Sequence, residues 1–173
     1  MRIALIGSQD FGKAALEAFL ERGDEVVAVF CPPDNPKATK PEILKETAMA
    51  RGLNMLQFPS LKGPEAANAM RDSKADICVM AYVLQFVPQD LVKIPRFGTI
   101  QYHPSLLPKY RGPSAIGWSI ALGETKTGLT IFRPSDGLDE GEVIMQKEVA
   151  IGPDDTLGKI YFDHLFPIGV QAL

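Results

Sequence analysis

Apolar and polar residues follow two spacings along the first half of the chain. Ile3–Ile6 is an unbroken apolar run closed by Gly7, which predicts a short strand buried on both faces. Phe11, Ala15, Leu16, Phe19 and Leu20 recur at helical spacing between Phe11 and Arg22, and Gly23 stops the pattern. Val26–Phe30 predicts a second strand. Pro32, Pro33 and Pro36 break any regular element and predict a loop. A helix over 41–51 follows, with Pro41 in its first turn and Gly52 after it. Then come a short strand over 53–58, a helix over 64–71 and a buried strand over 77–81. This alternation predicts an α/β fold: a Rossmann-like, mostly parallel, twisted sheet with helices on both faces.

The second half reads differently. Gly98–His103 predicts a strand that runs into the proline-rich stretch Pro104-Ser-Leu-Leu-Pro108. A helix is expected over Ser114–Leu122, with Ser114 as its capping residue. Strands over 129–132 and 142–149 flank a polar loop, and a helix runs from Asp155 to the end with a break at Pro167. There is no internal repeat. The apolar, helix-like end at Ala172-Leu173 predicts a polypeptide that runs on, so residues 1–173 are expected to be one catalytic domain shortened at its C-terminus.

Composition narrows the chemistry. At 173 residues, with 46% hydrophobic and 23% charged residues, the chain is long enough for a sizeable core. The formal charge of −3 argues against a nucleic-acid partner, which calls for a basic footprint. Cys31 and Cys78 lie in apolar runs and are expected to be reduced, buried thiols rather than a disulfide or a nucleophile. Two histidines and no close Cys/His set leave a metal site without a signature. The N-terminus does not read as a signal peptide, and no apolar run approaches the ~18 residues of a membrane span, so the expected compartment is the cytoplasm.

Gly7-Ser-Gln-Asp-Phe-Gly12-Lys13 follows a strand and opens a helix, and it nearly spells a phosphate loop. Ala14 stands where a hydroxyl would hold magnesium, and Asp10 places a negative charge in the cradle. Gln9 replaces the second glycine of a dinucleotide fingerprint, and Cys31-Pro32 stand where that fold ends its second strand with an acidic residue. The loop therefore reads as a tight strand-to-helix turn, at the strand end where open sheets place ligands, and a nucleotide-dependent dehydrogenase is disfavoured.

Candidate chemistry gathers in two stretches. Gln101 and His103 are two apart on a strand, so they face one space at its end. Downstream, Asp136-Gly-Leu-Asp139-Glu140-Gly-Glu142 sets two glycines among four acidic residues, the mark of a sharply bent loop. That loop is either a solvated acidic turn or the carrier of a carboxylate that orients His103 and stabilises its imidazolium.

Together these residues resemble the family of 10-formyltetrahydrofolate-dependent formyltransferases and hydrolases. The matching positions are His103, Ser105-Leu-Leu-Pro108, Arg111-Gly112 and Asp139-Glu-Gly141, with Ser135 in place of the first Asp of the downstream motif. The resemblance covers essentially the whole chain. It is closest to the N-terminal hydrolase domain of 10-formyltetrahydrofolate dehydrogenase, through Tyr102-His-Pro104, Ser114-Ala-Ile116, Gln85-Phe-Val-Pro88, Gln146-Lys-Glu148 and Leu165-Phe-Pro167, and it extends to methionyl-tRNA formyltransferase.

The resemblance implies the formyltransferase fold and 10-formyltetrahydrofolate as formyl donor, with no metal. It implies His103 and Asp139 as catalytic residues and Gln85, Phe86, Val87 and Asp139 as folate-binding residues. It also implies that Gln101 helps bind the oxyanion of a tetrahedral intermediate. Most members carry Asn at position 101. The added methylene of Gln101 moves the donor by about an ångström, a shift that can cost ~100-fold in rate and points away from fast amine transfer. Water, a carrier-protein thiol or a small amine are the acceptors to weigh. Methionyl-tRNA is disfavoured because the 32–41 loop carries only Lys37 and Lys40. A folate-binding module without catalysis is the remaining alternative.

Overall fold

The computed structural model describes residues 1–173, which divide into two compact units, Met1–Ile100 and Gln101–Leu173. The first unit is α/β. Its strands are β1 (Arg2–Gly7), β2 (Glu25–Cys31), β3 (Met55–Gln57) and β4 (Ile77–Ala81), in the order β3-β2-β1-β4 and all parallel. Its helices are α1 (Gln9–Glu21), α2 (Ile43–Ala50), α3 (Pro64–Ser73) and α4 (Gln89–Val92). Ala4, Ile6, Ala28, Phe30, Cys78 and Met80 alternate along three strands and pack with Ala66 and Met70 of α3 and Leu91 of α4. The intervening Ile3, Leu5, Val29 and Val79 are equally buried, which is why these strands read as unbroken apolar runs. At the end of β1, a side chain on Gly7 would place its Cβ 2.6 Å from the Ala81 carbonyl, so glycine is needed for β1 and β4 to close there.

In the first unit the expected elements are present, and two features depart from expectation. Helix α2 starts at Ile43, because the Glu42 side chain caps it by accepting from Leu44 N. The one-turn helix α4 was not expected, since a single turn is too short to show a period; it buries Leu91 and Val92.

The second unit is built on antiparallel strands. They are β5 (Thr99–His103), β6 (Lys126–Pro134) and β7 (Gly141–Ala150), in the order β5-β6-β7. Helix α5 (Ala115–Ala121) lies between β5 and β6. Ser114 precedes α5 but makes no capping bond, because its φ of +61° turns the side chain away from the role expected of it. At the C-terminus, α6 (Leu157–Lys159) leads through a π-helical segment (Ile160–Leu165) into α7 (Phe166–Ala172). The irregularity expected at Pro167 thus falls before it. Pro167 sits in the first turn of α7, directly after the π-helical segment, whose helical backbone runs on into α7 without a break. Tyr161 meets Phe166 edge-on, ring centres 5.6 Å apart, across that wider turn. No helix is long and apolar enough to cross a membrane.

Both cysteines are free and buried, and burial pushes each thiol up to about 12. The native protein is expected to react with a thiol reagent such as Ellman's far more slowly than the unfolded chain, which releases both thiols at once. Rapid native labelling would show that one of them is reached without unfolding.

Candidate active site

The site begins on β5. In the register of the second unit, Gln101 pairs with Phe132 and His103 with Thr130, and Thr130 in turn pairs with Gln146 of β7. Paired residues present side chains to the same face, so His103, Thr130 and Gln146 form a row. Thr130 is fully buried, and its hydroxyl ties down the chain that follows His103. Thr130 Oγ1 donates to Ser105 O at 2.7 Å and accepts from Leu107 N at 3.0 Å and from Gln146 Nε2 at 2.9 Å. Gln146 Nε2 also donates to Leu107 O at 2.8 Å. The proline-rich loop, with its cis Leu107–Pro108 bond, is thereby fixed to two strands although it has no repetitive structure of its own.

His103 is buried, and its Nε2 lies 2.8 Å from the carbonyl oxygen of Tyr110. A carbonyl can only accept, so Nε2 carries a proton. The other nitrogen, Nδ1, lies 3.4 Å from Asp139 Oδ2, an ion-pair distance beyond the ~2.7–3.2 Å of a well-formed hydrogen bond. Both ring nitrogens face acceptors, an arrangement satisfied at both ends by the imidazolium.

Asp139 is the meeting point. Its Oδ1 accepts from Gln101 Nε2 at 3.0 Å and its Oδ2 from Gly112 N at 2.7 Å, while its side chain is only 10% exposed. Its φ of +44° is left-handed, which a short polar residue tolerates better than most. The acidic loop is closed by Ser135 N donating to Glu140 O at 2.7 Å. Gly141 follows at φ +145°, where a Cβ would run into the Arg133 carbonyl. The sequence-predicted trio of Gln101, His103 and Asp139 is therefore brought together. Gln101 gives one amide proton to Asp139 and keeps a second donor. Beside the trio lies a concavity of about 350 Å³, lined by Leu107, Pro108, Arg111, Asp139, Glu140 and Val143, within the ~300–1,000 Å³ of small-molecule sites. A larger hollow of about 540 Å³ sits at the amino-terminal end of β1 and β2, away from every candidate residue, and its Arg2 donates to Glu25, Ser73 and Lys74.

Residues that sequence reasoning missed act through the main chain or from a distance. Tyr110 contributes a carbonyl and Gly112 an amide, and neither role depends on residue type in a way a sequence displays. Tyr110 is itself left-handed at φ +54°. Its hydroxyl donates to Glu124 Oε1 at 2.8 Å, and Lys109 Nζ reaches the same oxygen at 2.9 Å. The Lys109 bond holds the Glu124 carboxyl below the usual range, and the bond to Glu124 raises the Tyr110 phenol. Thr130 could have been noticed as a lone hydroxyl inside the apolar run Leu129-Thr-Ile-Phe132.

The remaining candidates belong to the first unit. Phe86 is 62% exposed and Val87 packs partly buried against the core, so only Val87 behaves as the ordinary core residue that both would be without the family resemblance. Gln85 Nε2 donates to Phe58 O at 3.0 Å. Lys62 Nζ stands 4.8 Å from the centre of the Phe86 ring, and Tyr82 and Leu84 are exposed in the same loop. No group of three or more His, Cys, Asp or Glu is gathered to hold a metal ion. At the turn after β1, Ser8 Oγ and Gln9 N donate to the Glu42 carboxylate at 2.7 and 2.6 Å, so the groups a phosphate would take are already occupied.

Replacing Thr130 by the isosteric Val strands the Leu107 amide and the Ser105 carbonyl. Urea unfolding is expected to show a loss of ~2 kcal/mol, larger than an exposed Thr→Val change gives.

Comparison with known proteins bears on the family and the fold. Residues 1–165 match the family model described as formyl transferase. Aligned over 178 positions, the chain is 39% identical to a cytosolic 10-formyltetrahydrofolate dehydrogenase of Xenopus tropicalis, covering all of this chain and 20% of that protein. It is 35% identical to a methionyl-tRNA formyltransferase of Geobacter metallireducens, covering all of this chain and 57% of that protein. The chain thus spans about a fifth of the length of the dehydrogenases it matches. Among solved structures it is similar to glycinamide ribonucleotide transformylase 1 from Symbiobacterium toebii, with TM-score 0.82 and 21% identity over 99% of this chain and 82% of that one. It is also similar to phosphoribosylglycinamide formyltransferase from Bacillus halodurans, with TM-score 0.78 and 24% identity over 99% and 88%. The structures bear out the expected α/β formyltransferase fold, and the family match, extending over nearly the whole sequence, places the chain in the formyl transferase family, a family of enzymes.

Proposed function

We propose that this chain transfers or hydrolyses the formyl group of 10-formyltetrahydrofolate, with His103 and Asp139 as catalytic residues and Gln101 as an assisting donor. The observation that carries this reading is the largely buried carboxylate of Asp139, held by Gln101 and Gly112 and paired with His103 at the edge of a small-molecule-sized concavity. A nucleophile adds to the formyl carbon and leaves an oxyanion. The His103 imidazolium and the second amide proton of Gln101 stabilise that charge in a site largely shielded from water. Asp139 takes the proton that the nucleophile sheds, directly or through one water. The tetrahedral intermediate then collapses: the carbon–nitrogen bond to the donor breaks, the proton held by Asp139 passes to the leaving nitrogen, and tetrahydrofolate departs with the formyl group left on the acceptor. Gln85, Phe86 and Val87 contact the folate, by their matching positions in the family. The exposed Phe86 ring, with Leu84 and Tyr82 beside it in sequence, supplies the flat apolar surface a pterin calls for.

Water or a carrier-protein thiol is the preferred acceptor, because Gln101 departs from the Asn that the family resemblance expects and because the chain aligns in full with the 10-formyltetrahydrofolate dehydrogenases. The likeness to methionyl-tRNA formyltransferase supports an amine acceptor as the second reading. The proposed setting is the cytoplasm, with no metal and no membrane partner.

The test is ultraviolet-monitored conversion of 10-formyltetrahydrofolate or its dideaza analogue, with and without thiol. His103→Ala is expected to lower kcat/KM by ~10³-fold. Wild-type protein that binds the donor but never releases its formyl group to water, thiol or amine would overturn the enzymatic reading.

In Asp139→Asn, the new amide NH₂ must face a donor, either Gly112 N–H or Gln101. The variant is therefore expected to lose turnover by a similar factor and ~1–3 kcal/mol of stability, while the folate analogue still binds within several-fold of wild type. Full activity would remove Asp139 from the mechanism. Phe86→Ala is expected to weaken analogue binding ~10-fold, read by titration, with a smaller effect on the bound-state rate.

A further inference from the structure

The backbone of Tyr110 is left-handed in the loop that follows His103. A left-handed φ of +54° costs a non-glycine residue ~1 kcal/mol or more, and persists only where surrounding bonds over-determine it. Here the over-determination is visible. Ser105 Oγ donates to the Lys109 carbonyl at 2.6 Å and fixes the approach to Tyr110. The left-handed turn then sends the Tyr110 carbonyl to His103 Nε2 and its ring the other way, where its hydroxyl meets Glu124 Oε1. Lys109 Nζ meets the same oxygen, so two successive side chains end on one carboxylate. Glu124 is a firm anchor: its amide donates to Ser119 O at the end of α5, and Lys126 begins β6 two residues later.

Glu124 touches neither His103 nor the concavity that Asp139 lines, yet the chain of bonds reaches the imidazole. With Nε2 held on a carbonyl, the ring plane is set and Nδ1 is left facing Asp139. Without the anchor, Tyr110 is free to relax to negative φ. Its carbonyl then turns off Nε2, and the imidazole gains access to a second ring orientation. Surface ion pairs ordinarily add little stability, so the value of this one is geometric rather than energetic.

We propose that Glu124 and Tyr110 form a clamp that positions the His103 imidazole for the formyl chemistry, and that both are positioning residues rather than catalytic ones. The proposal rests on the role assigned to His103 above. It names a residue twenty-one positions from His103 as a determinant of the rate-limiting geometry. Gln85, Phe86 and Val87 lie outside this chain of bonds, so its loss is expected to fall on kcat more than on KM.

The experiment uses Tyr110→Phe, which removes one hydroxyl, Glu124→Ala, which removes the anchor, Glu124→Gln, which restores an uncharged acceptor, and the Tyr110→Phe/Glu124→Ala double variant. In the 10-formyltetrahydrofolate assay, Tyr110→Phe and Glu124→Ala are each expected to lower kcat ~10-fold with KM within twofold. Glu124→Gln is expected to recover at least half of the lost rate, and the double variant to be no worse than either single one. Melting temperatures are measured beside each, and the rate loss is expected to exceed anything that partial unfolding accounts for. Unchanged kcat in both single variants, losses that multiply in the double variant, or losses that track melting temperature would overturn the clamp. A second readout is independent of turnover. The ¹⁵N ring resonances of His103, assigned against His103→Ala because the chain has two histidines, are expected to shift in Tyr110→Phe and Glu124→Ala and to return in Glu124→Gln. If wild-type protein proves inactive, the formyl-transfer reading fails, while unmoved His103 resonances in these variants would overturn the clamp by itself.

Discussion

The carboxylate of Asp139 is the constraint on which the candidate site depends. A carboxylate only 10% exposed is costly unless its oxygens are paired, and here they accept from one side chain and one backbone amide and face one imidazole. These groups come from two pieces of chain: Gln101 and His103 from β5, and Gly112 from the loop after Pro108. The loop after Pro108 and the acidic loop itself lack regular structure, so their position against β5 is defined by these bonds and not by a sheet or helix ladder. Removing the charge therefore loosens three segments at once, which is a different event from losing one hydrogen bond on a strand.

The antiparallel strands supply the rigid side of this arrangement. β6 is buried along most of its length and places Thr130 directly opposite both His103 and Gln146. One hydroxyl then satisfies three groups of the loop and the neighbouring strand, so the proline-rich segment, whose prolines lack amides to offer, still has its Ser105 carbonyl and Leu107 amide paired. The stiff part of the site is thus made from strand register, and the reactive part is hung from it.

What was legible in the sequence follows from which atoms carry the information. The parallel unit was readable because buried strands and amphipathic helices impose unlike periods, and the pairing of Gln101 with His103 was readable because strand side chains repeat every two residues. Asp139 was readable as a residue type in a bent acidic loop, but its left-handed backbone and its bond to Gln101 were not. Tyr110 was invisible as a functional residue because it works through a carbonyl that every residue has. The helix α4 and the π-helical turn before Phe166 were missed for a related reason: one turn has no period to detect, and a change of winding leaves no mark on spacing this short.

The turn after β1 shows the converse case, in which a familiar pattern is answered by an internal group. A strand, a glycine-bearing turn and a thirteen-residue helix together make an anion site, because the first amides of a helix lack partners and its dipole favours negative charge. In this chain the anion is Glu42. Its carboxylate takes the Ser8 hydroxyl and the Gln9 amide of that turn while also accepting from Leu44 N to start α2. A phosphate entering there would have to displace a tethered carboxylate, give up the cap of a second helix and sit beside Asp10 in the first turn of α1. The missing hydroxyl at Ala14 and the missing glycine at Gln9 are then not isolated departures from a nucleotide loop. They are what a turn looks like when its negative charge is supplied by the fold.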